Sequence, residues 1–465
     1  MKSLSFITSL LLCLVIAGCS QSGSGVLFDG TNMNQWKTTG NVSTADGILT
    51  LTGSNACAVL KNGKYQNFEL NLEMRTTPGG KGAIAFHTDP SVGKGYRVAI
   101  NNDRDDPVWW KMTGSLLSVR NLTKSFVKEN DWFTMSIRVE GHFVTVRING
   151  EPVVEYIEPA EPYRVAPNSD VLLSEGTFAL TGSGTGDVQF RNISVNVIRP
   201  DEIAEDVASQ WAQAPDEQND DIIRLHQEDF PVLDYHVHVK GGLTDENAAQ
   251  RSRKTGINYA AAPNCGIGFP ITDDAGVMAF LESSRKLPFI LAMQAEGREW
   301  VTTFSPEVRA EFDYVFTDAL TFTDSKGRRT RLWMPQEVWI ENEQEYMDLI
   351  VNKICDVLQE PMDVYVNPCF LPPTMEDRYD EFWTEARMNK FVEAMANSGK
   401  ALEINARYKI PNKAIIQKAK AAGVKFTFGT NNAGANDLGL LEYCIQMKNE
   451  CDITAQDMYR PKIKI

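Results

Sequence analysis

Histidine is scarce in this chain, with five among 465 residues, and none of its eight cysteines forms a C-x-x-C pair. The lack of paired thiols excludes a zinc knuckle, and the length makes a disulfide framework unnecessary, so buried free thiols are expected. No basic run is present and the net charge is −15, which excludes nucleic acid, because a phosphate backbone is held by Lys and Arg neutralisation. Long apolar runs are absent after the first twenty residues. Helical periodicity is absent from Val26 to about Ile198. What is present is globular: 43% hydrophobic and 23% charged residues, nine Trp and 22 Phe. A chain this long exceeds one core, and two domains are expected.

The opening "MKSLSFITSLLLCLVIAGCS" has a basic Lys2 and an apolar stretch from Phe6 to Ile16 that is too short to span as a mature helix. It is read as a signal peptide over residues 1–18. "LVIAGC" resembles the bacterial lipobox, which implies cleavage before Cys19 and a diacylglyceryl anchor on its sulfur. Residues 19–25 then form a flexible tether to a lipid bilayer. The resemblance implies the bacterial cell envelope, and Ser20 in place of a retaining aspartate favours the outer membrane; the periplasmic side is expected, with the face left open by the sequence.

From 26 to 198, runs such as "FELNLEMRTT" and "WFTMSIRVEGHFVTVRINGEPVVEY" alternate apolar and polar residues between turn residues, which predicts an all-β sandwich or jelly roll. Asn149-Gly150 predicts a two-residue hairpin. Residues 199–229 are acidic and poor in apolar side chains and are read as a partly helical linker. From 230 to 465, short apolar runs ("VLDYHVHV", "FILAMQAEG", "ALEINARY", "KFTFGTNN") alternate with helical stretches. This predicts an α/β barrel of parallel strands, seven in number.

Polar residues fall at the strand ends, where the loops of a βα barrel converge on one cleft. These are His236 and His238, Asn264, Gln294 and Glu296, Asp318, Asn367, Glu403 and Asn405, then Thr430 and Asn431. In "FPVLDYHVHVKGG" the two histidines are two apart on a strand and point to one side. With Glu296 they could hold one divalent metal, Zn, Mn or similar, with open positions for water and substrate. The other reading has one histidine bonded to a neighbouring strand end and the other lining a pocket.

"LDYHVHV", the Glu of "QAEG", "FDYVFTDAL", "VNPCF", "LEINARY" and "FTFGTNN" occur in the order of the PHP (polymerase and histidinol phosphatase) metal hydrolases. That resemblance implies a seven-stranded distorted, TIM-like barrel over 230–465. Asn367, Asp318-Ala319-Leu320 and Thr430-Asn431-Asn432 stand where the family carries further histidines, while His236, His238, Glu296 and Glu403 match. The resemblance therefore implies one metal on His236, His238 and Glu296, not a cluster.

Residues 26–198, through "VLFDGTNMNQW", "DGILTLTG", "GYRVAINND" and "VQFRNISV", resemble the concanavalin-like jelly roll of the 3-keto-glucoside 1,2-lyase and 3-keto-2-hydroxy-glucal hydratase family. The resemblance implies a carbohydrate or keto-sugar substrate. Arg97 stands where the family has an acidic residue. Tyr96 and Trp109-Trp110 could stack on a sugar, with His87, Arg97 and Asp103 for hydroxyls; the Trp pair could equally be a core or inter-domain contact.

The first functional expectation is an envelope lipoprotein of carbohydrate catabolism, a metal-dependent hydrolase or lyase acting on a glycoside or 3-keto-sugar. Glu403, Asn431 and Asp318 are its catalytic candidates, His236, His238 and Glu296 its metal ligands, and His87, Tyr96, Arg97, Asp103 and Trp110 its substrate contacts. The alternatives are lyase or hydratase chemistry in the jelly roll with an accessory barrel, and a glycan-binding protein with degenerate sites.

Overall fold

The computed structural model describes residues 22–464; the expected signal peptide and the lipidation site Cys19 lie outside the described residues. None of the described helices is long and apolar enough to cross a membrane.

Two antiparallel sheets form the first half. One runs in the order Glu151–Ile157, Phe143–Ile148, Phe133–Glu140, Phe68–Thr76, Asp187–Val197, Ile48–Thr52 and Val42–Ala45, with Gly25–Phe28 also paired to Asp187–Val197. The other runs Trp36–Thr39, Cys57–Leu60, Thr177–Gly182, Lys81–Thr88 and Tyr96–Asn101. The alternation read from sequence is the alternation of burial: every second residue of Phe68–Thr76 faces the core. Asn149 and Gly150 both have positive φ, 52° and 87°, as a tight turn between twisted strands requires.

The second half is a closed barrel of seven parallel strands: β1 (Leu233–Val237), β2 (Asn258–Ala261), β3 (Ile290–Ala295), β4 (Tyr314–Thr317), β5 (Val364–Tyr365), β6 (Ala401–Asn405) and β7 (Phe426–Gly429). Each pairs with the next, and β7 returns to β1 through Phe428 and Asp234. All residues of β1, β3 and β6 are buried, because helices cover the outer face and side chains fill the interior. The helices end as their sequences direct: Asp245–Thr255 begins on the side chain of Thr244 and stops at Gly256, and Glu385–Ser398 begins on Thr384 and stops at Gly399, each glycine with positive φ.

The acidic stretch between the halves is packed rather than loose. Glu217 is fully buried, where it accepts from Arg164 Nη1 at 2.8 Å, the Tyr156 hydroxyl at 2.7 Å and the Tyr163 amide at 2.9 Å. Arg164 Nη2 also donates to the Tyr96 and Tyr156 hydroxyls, and the Tyr96 hydroxyl bonds Glu158. A chain of complementary charges and hydroxyls lets this acidic segment enter the interior.

The halves share core. Trp109 and Trp110 pack into the barrel's apolar cluster, and Trp110 Nε1 donates to Asp229 at 3.0 Å. Lys124 places its buried ammonium on the carbonyls of Leu287 and Phe289, at 3.3 and 2.6 Å. Arg120 Nη2 donates to the Lys254 carbonyl at 2.7 Å, and His226 Nε2 to that of Gly256 at 3.0 Å. These contacts lie at the amino ends of β2 and β3. The jelly roll therefore caps the base of the barrel and leaves the carboxyl ends of its strands open. All six cysteines among the described residues are free.

Candidate functional site

Period-two geometry puts Asp234, His236 and His238 on the same side of β1. Asp234 is fully buried and accepts from the Thr430 amide at 3.0 Å, the Thr430 hydroxyl at 2.5 Å and the His236 amide at 3.2 Å. It thereby locks β1 to the end of β7. Burial pushes its carboxyl up to about 6, against those hydrogen bonds.

His236 Nδ1 lies 2.6 Å from Glu403 Oε1, and its Nε2 lies 3.2 Å from Gln294 Oε1. Glu403 Oε2 accepts from the Asn367 amide at 2.7 Å and Asn405 Nδ2 at 3.0 Å. Space for this pair comes from Gly429: a Cβ there would lie 2.2 Å from Glu403 Oε1 and 2.8 Å from His236 Cβ. His238 is held differently. Its Nδ1 donates to the Ala262 carbonyl at 2.9 Å, and Asn432 clamps its backbone from both sides. The two rings are 5.0 Å apart.

Glu296 Oε1 accepts from Asn264 Nδ2 at 2.7 Å and Gln294 Nε2 at 3.0 Å. Burial, then repulsion from Asp318, raises its carboxyl to about 8, and burial raises Asp318 as well. Asn367 joins the remaining groups: Nδ2 donates to Asp318 Oδ2 at 2.8 Å, and Oδ1 accepts from Asn405 at 3.1 Å and Asn431 at 2.9 Å. Asn367 and Asn431 both have φ of 47°, a left-handed backbone that asparagine tolerates and that concentrates at functional sites. Lys240 and Arg407 stand at the exposed rim, and burial followed by the charge of Arg407 lowers the Lys240 ammonium.

The structure thus brings His236, His238, Glu296, Asp318, Glu403 and Asn431 to one end of the barrel. It does not gather them as a finished metal centre. Both ring nitrogens of His236 have side-chain partners, and among the described residues no group of three or more His, Cys, Asp or Glu is placed to hold an ion. Glu403 and His236 are fully buried, whereas Glu296, His238 and Asp318 retain slight exposure. The first two can position their neighbours, and the last three can touch a ligand.

The jelly-roll candidates are dispersed. His87 is buried, with Nε2 donating to the Gln66 carbonyl at 2.9 Å and Nδ1 accepting from the Ser174 amide at 3.1 Å; burial lowers it to about 4. Tyr96 is consumed by the Arg164 network, and Trp110 faces the barrel base. Asp103 pairs with Lys81 at 3.1 Å, and exposed Arg97 donates to the Val92 carbonyl at 2.6 Å. In place of an open sugar cradle, these side chains hold sheets, turns and the domain contact. Sequence reasoning missed the clamp by Asn432, the room made by Gly429, and the rim residues Lys240, Arg407 and Tyr408. Only the clamp left a trace, in the run of polar residues after β7.

No curated protein matches the chain. Among solved structures, one from Parabacteroides distasonis described as a glycosyl hydrolase is 18% identical, with 38% of this chain and 94% of that chain covered and a TM-score of 0.34. A carbohydrate-binding module from Bacillus subtilis is 16% identical, covering 36% and 97%, with a TM-score of 0.27. A β-1,3-1,4-glucanase (lichenase) derived from a mouse hindgut metagenome is 11% identical, covering 38% and 100%, with a TM-score of 0.26. Residues 23–196, which span both antiparallel sheets, match the family model of the 3-keto-alpha-glucoside-1,2-lyase-like domain.

Proposed function

We propose that the chain is a carbohydrate-active hydrolase or lyase, acting on a glycoside or 3-keto-sugar at the carboxyl end of its barrel and tethered to the envelope through Cys19. The carbohydrate class rests on the family match over residues 23–196. The single observation that carries the place of reaction is the pairing of unlike groups there. His238 has its Nδ1–H committed to the Ala262 carbonyl, and burial followed by the neighbouring His236 and Lys240 lowers it well below the usual imidazole range, so Nε2 stays an unprotonated though weakened acceptor, while Glu296 lies in a buried acidic pair with Asp318 that favours its protonated form. An acceptor and a donor of protons held apart by their surroundings are what acid–base catalysis requires. In a 3-keto-glycoside the ketone acidifies the C2 proton. His238 Nε2 takes that proton, the C2 electron pair forms the new double bond as the C1–O bond breaks, and Glu296 protonates the departing glycosidic oxygen. Glu403 and His236 hold the strand ends behind them. Asp318 and Asn431 fix Asn367 and the opposite wall.

A second reading has one divalent ion, Zn or Mn, on His236, His238 and Glu296. It is favoured by the Nδ1 contacts of both rings, to Glu403 and to the Ala262 carbonyl, since metal-ligating histidines are oriented in this way through the other nitrogen.

Turnover of a 3-keto-glucoside by the purified mature chain tests both. Expected is activity that His238→Ala and Glu296→Gln each lower by at least about a hundredfold, with no effect of a chelator. Stoichiometric metal and chelator-sensitive activity would select the second reading. Full activity in both variants would overturn the barrel site and move the reaction to the jelly roll.

A further inference from the structure

Beside the acid cluster, the loops after β5 and β6 enclose a cleft of about 330 Å³ whose lining includes Phe370, Glu376, Tyr379, Tyr408 and Lys409. We propose that this cleft is a sugar-ring subsite, with Tyr408 as its platform, that holds the uncharged pyranose adjoining the residue transformed at Glu296 and His238. The inference rests on the carbohydrate reading above and names the part of the substrate that reading leaves open.

Tyr408 is 38% exposed and presents part of its ring to the cleft. It does not lie loosely. Its amide donates to Asn405 Oδ1 at 3.0 Å, its ring meets that of Phe370 edge-on at 5.0 Å, and the Arg407 guanidinium stacks 5.6 Å from its centre. The exposed aromatic is therefore preset, as a stacking platform needs to be.

The backbone around the cleft is equally constrained. Cys369 and Lys409 have φ of 65° and 54°, conformations that cost energy in residues other than glycine and that persist where the surroundings impose them. With Asn367 and Asn431, four left-handed residues other than glycine lie in the segments that follow β5, β6 and β7. The charged lining is one ammonium, Lys409, and one carboxylate, Glu376, beside the neutral polar groups of Asn412, Tyr379 and Tyr408. Opposite charges at an aromatic floor suit the hydroxyl rim and apolar C–H face of a neutral sugar better than an anionic group.

The cleft also communicates with the chemistry. Tyr408 hangs from Asn405, and Asn405 Nδ2 donates to Glu403 Oε2 at 3.0 Å and to Asn367 Oδ1 at 3.1 Å. A ring seated on Tyr408 is one residue removed from the groups that orient His236 and Asp318.

The test is titration calorimetry of the mature chain with trehalose, maltotriose, cellotriose and laminaritriose, each also as its C3-oxidised form, for wild type, Tyr408→Ala and Tyr408→Phe. Expected is binding of at least one probe by wild type, weakened about tenfold or more by Tyr408→Ala and within about threefold in Tyr408→Phe. With a turned-over probe, the alanine variant should raise KM more than it lowers kcat, a split that mere loss of folding would not produce. Binding by Tyr408→Ala equal to wild type overturns the subsite while leaving the carbohydrate reading intact. Absence of binding by wild type across all probes overturns both.

Discussion

Acid should destabilise this protein in part through His226, and one substitution should remove that part of the sensitivity. The ring is buried between the two halves. Its Nε2–H donates to the Gly256 carbonyl, and its Nδ1 faces the Asn121 amide at 3.5 Å. Burial, followed by the neighbouring Arg120 charge, lowers it from 6.5 to about 3. A second proton on Nδ1 would meet an N–H donor and a guanidinium, so the folded protein declines it while the unfolded chain accepts it. The sign follows: stability is complete above the unfolded value and is lost as pH falls through it, down to the folded value. Between pH 7 and pH 5 the unfolded chain gains most of one proton that the folded chain does not, a loss of about 2 kcal/mol. In His226→Gln the amide can donate to Gly256 and accept from Asn121, with nothing to titrate. Urea unfolding followed by tryptophan fluorescence at both pH values measures the difference. His87 and His238 are lowered in the same way and remain in both proteins, so only the excess loss in wild type counts. Equal losses in wild type and variant would refute the reasoning.

Gly429→Ala should fold with a cost of about 1–3 kcal/mol and still lose most activity, because its Cβ must displace the Glu403 carboxylate from His236. Thermal unfolding beside turnover would show the mismatch between a modest stability loss and a large functional one. Arg164→Met should cost about 3–5 kcal/mol, since it strands the buried Glu217 carboxylate and leaves two tyrosine hydroxyls short of a donor. Denaturant titration checks it, and adding Glu217→Gln should recover part of the loss.

The barrel was legible because its strands are largely apolar and most of their polar residues gather toward the carboxyl ends, so that a linear pattern maps directly onto one face of the closed sheet. Seven strands could be counted for that reason. The hairpin at Asn149-Gly150 was legible from the φ values those residues tolerate. What was not legible is who partners whom across long sequence separations. Tyr96 and Trp110 look like sugar platforms in isolation, yet Arg164 and Asp229, far away in sequence, claim their polar atoms. Acidic residues 199–229 look solvated until Arg164 is seen to neutralise Glu217. The same holds at the candidate site: H-x-H suggests a metal pair, but whether each Nε2 is free depends on Gln294 and Ala262, which no local pattern reveals.

The Trp109-Trp110 pair has a practical bearing on any dissection of this chain. Because both indoles complete the barrel's interior, cutting between the halves would not release two finished modules. The excised sheets would carry two bare indoles and the stranded Lys124 ammonium, and the excised barrel would keep a socket with no occupant. Such fragments should be sticky and reluctant to stay in solution. The two halves of this chain are expected to fold and unfold together.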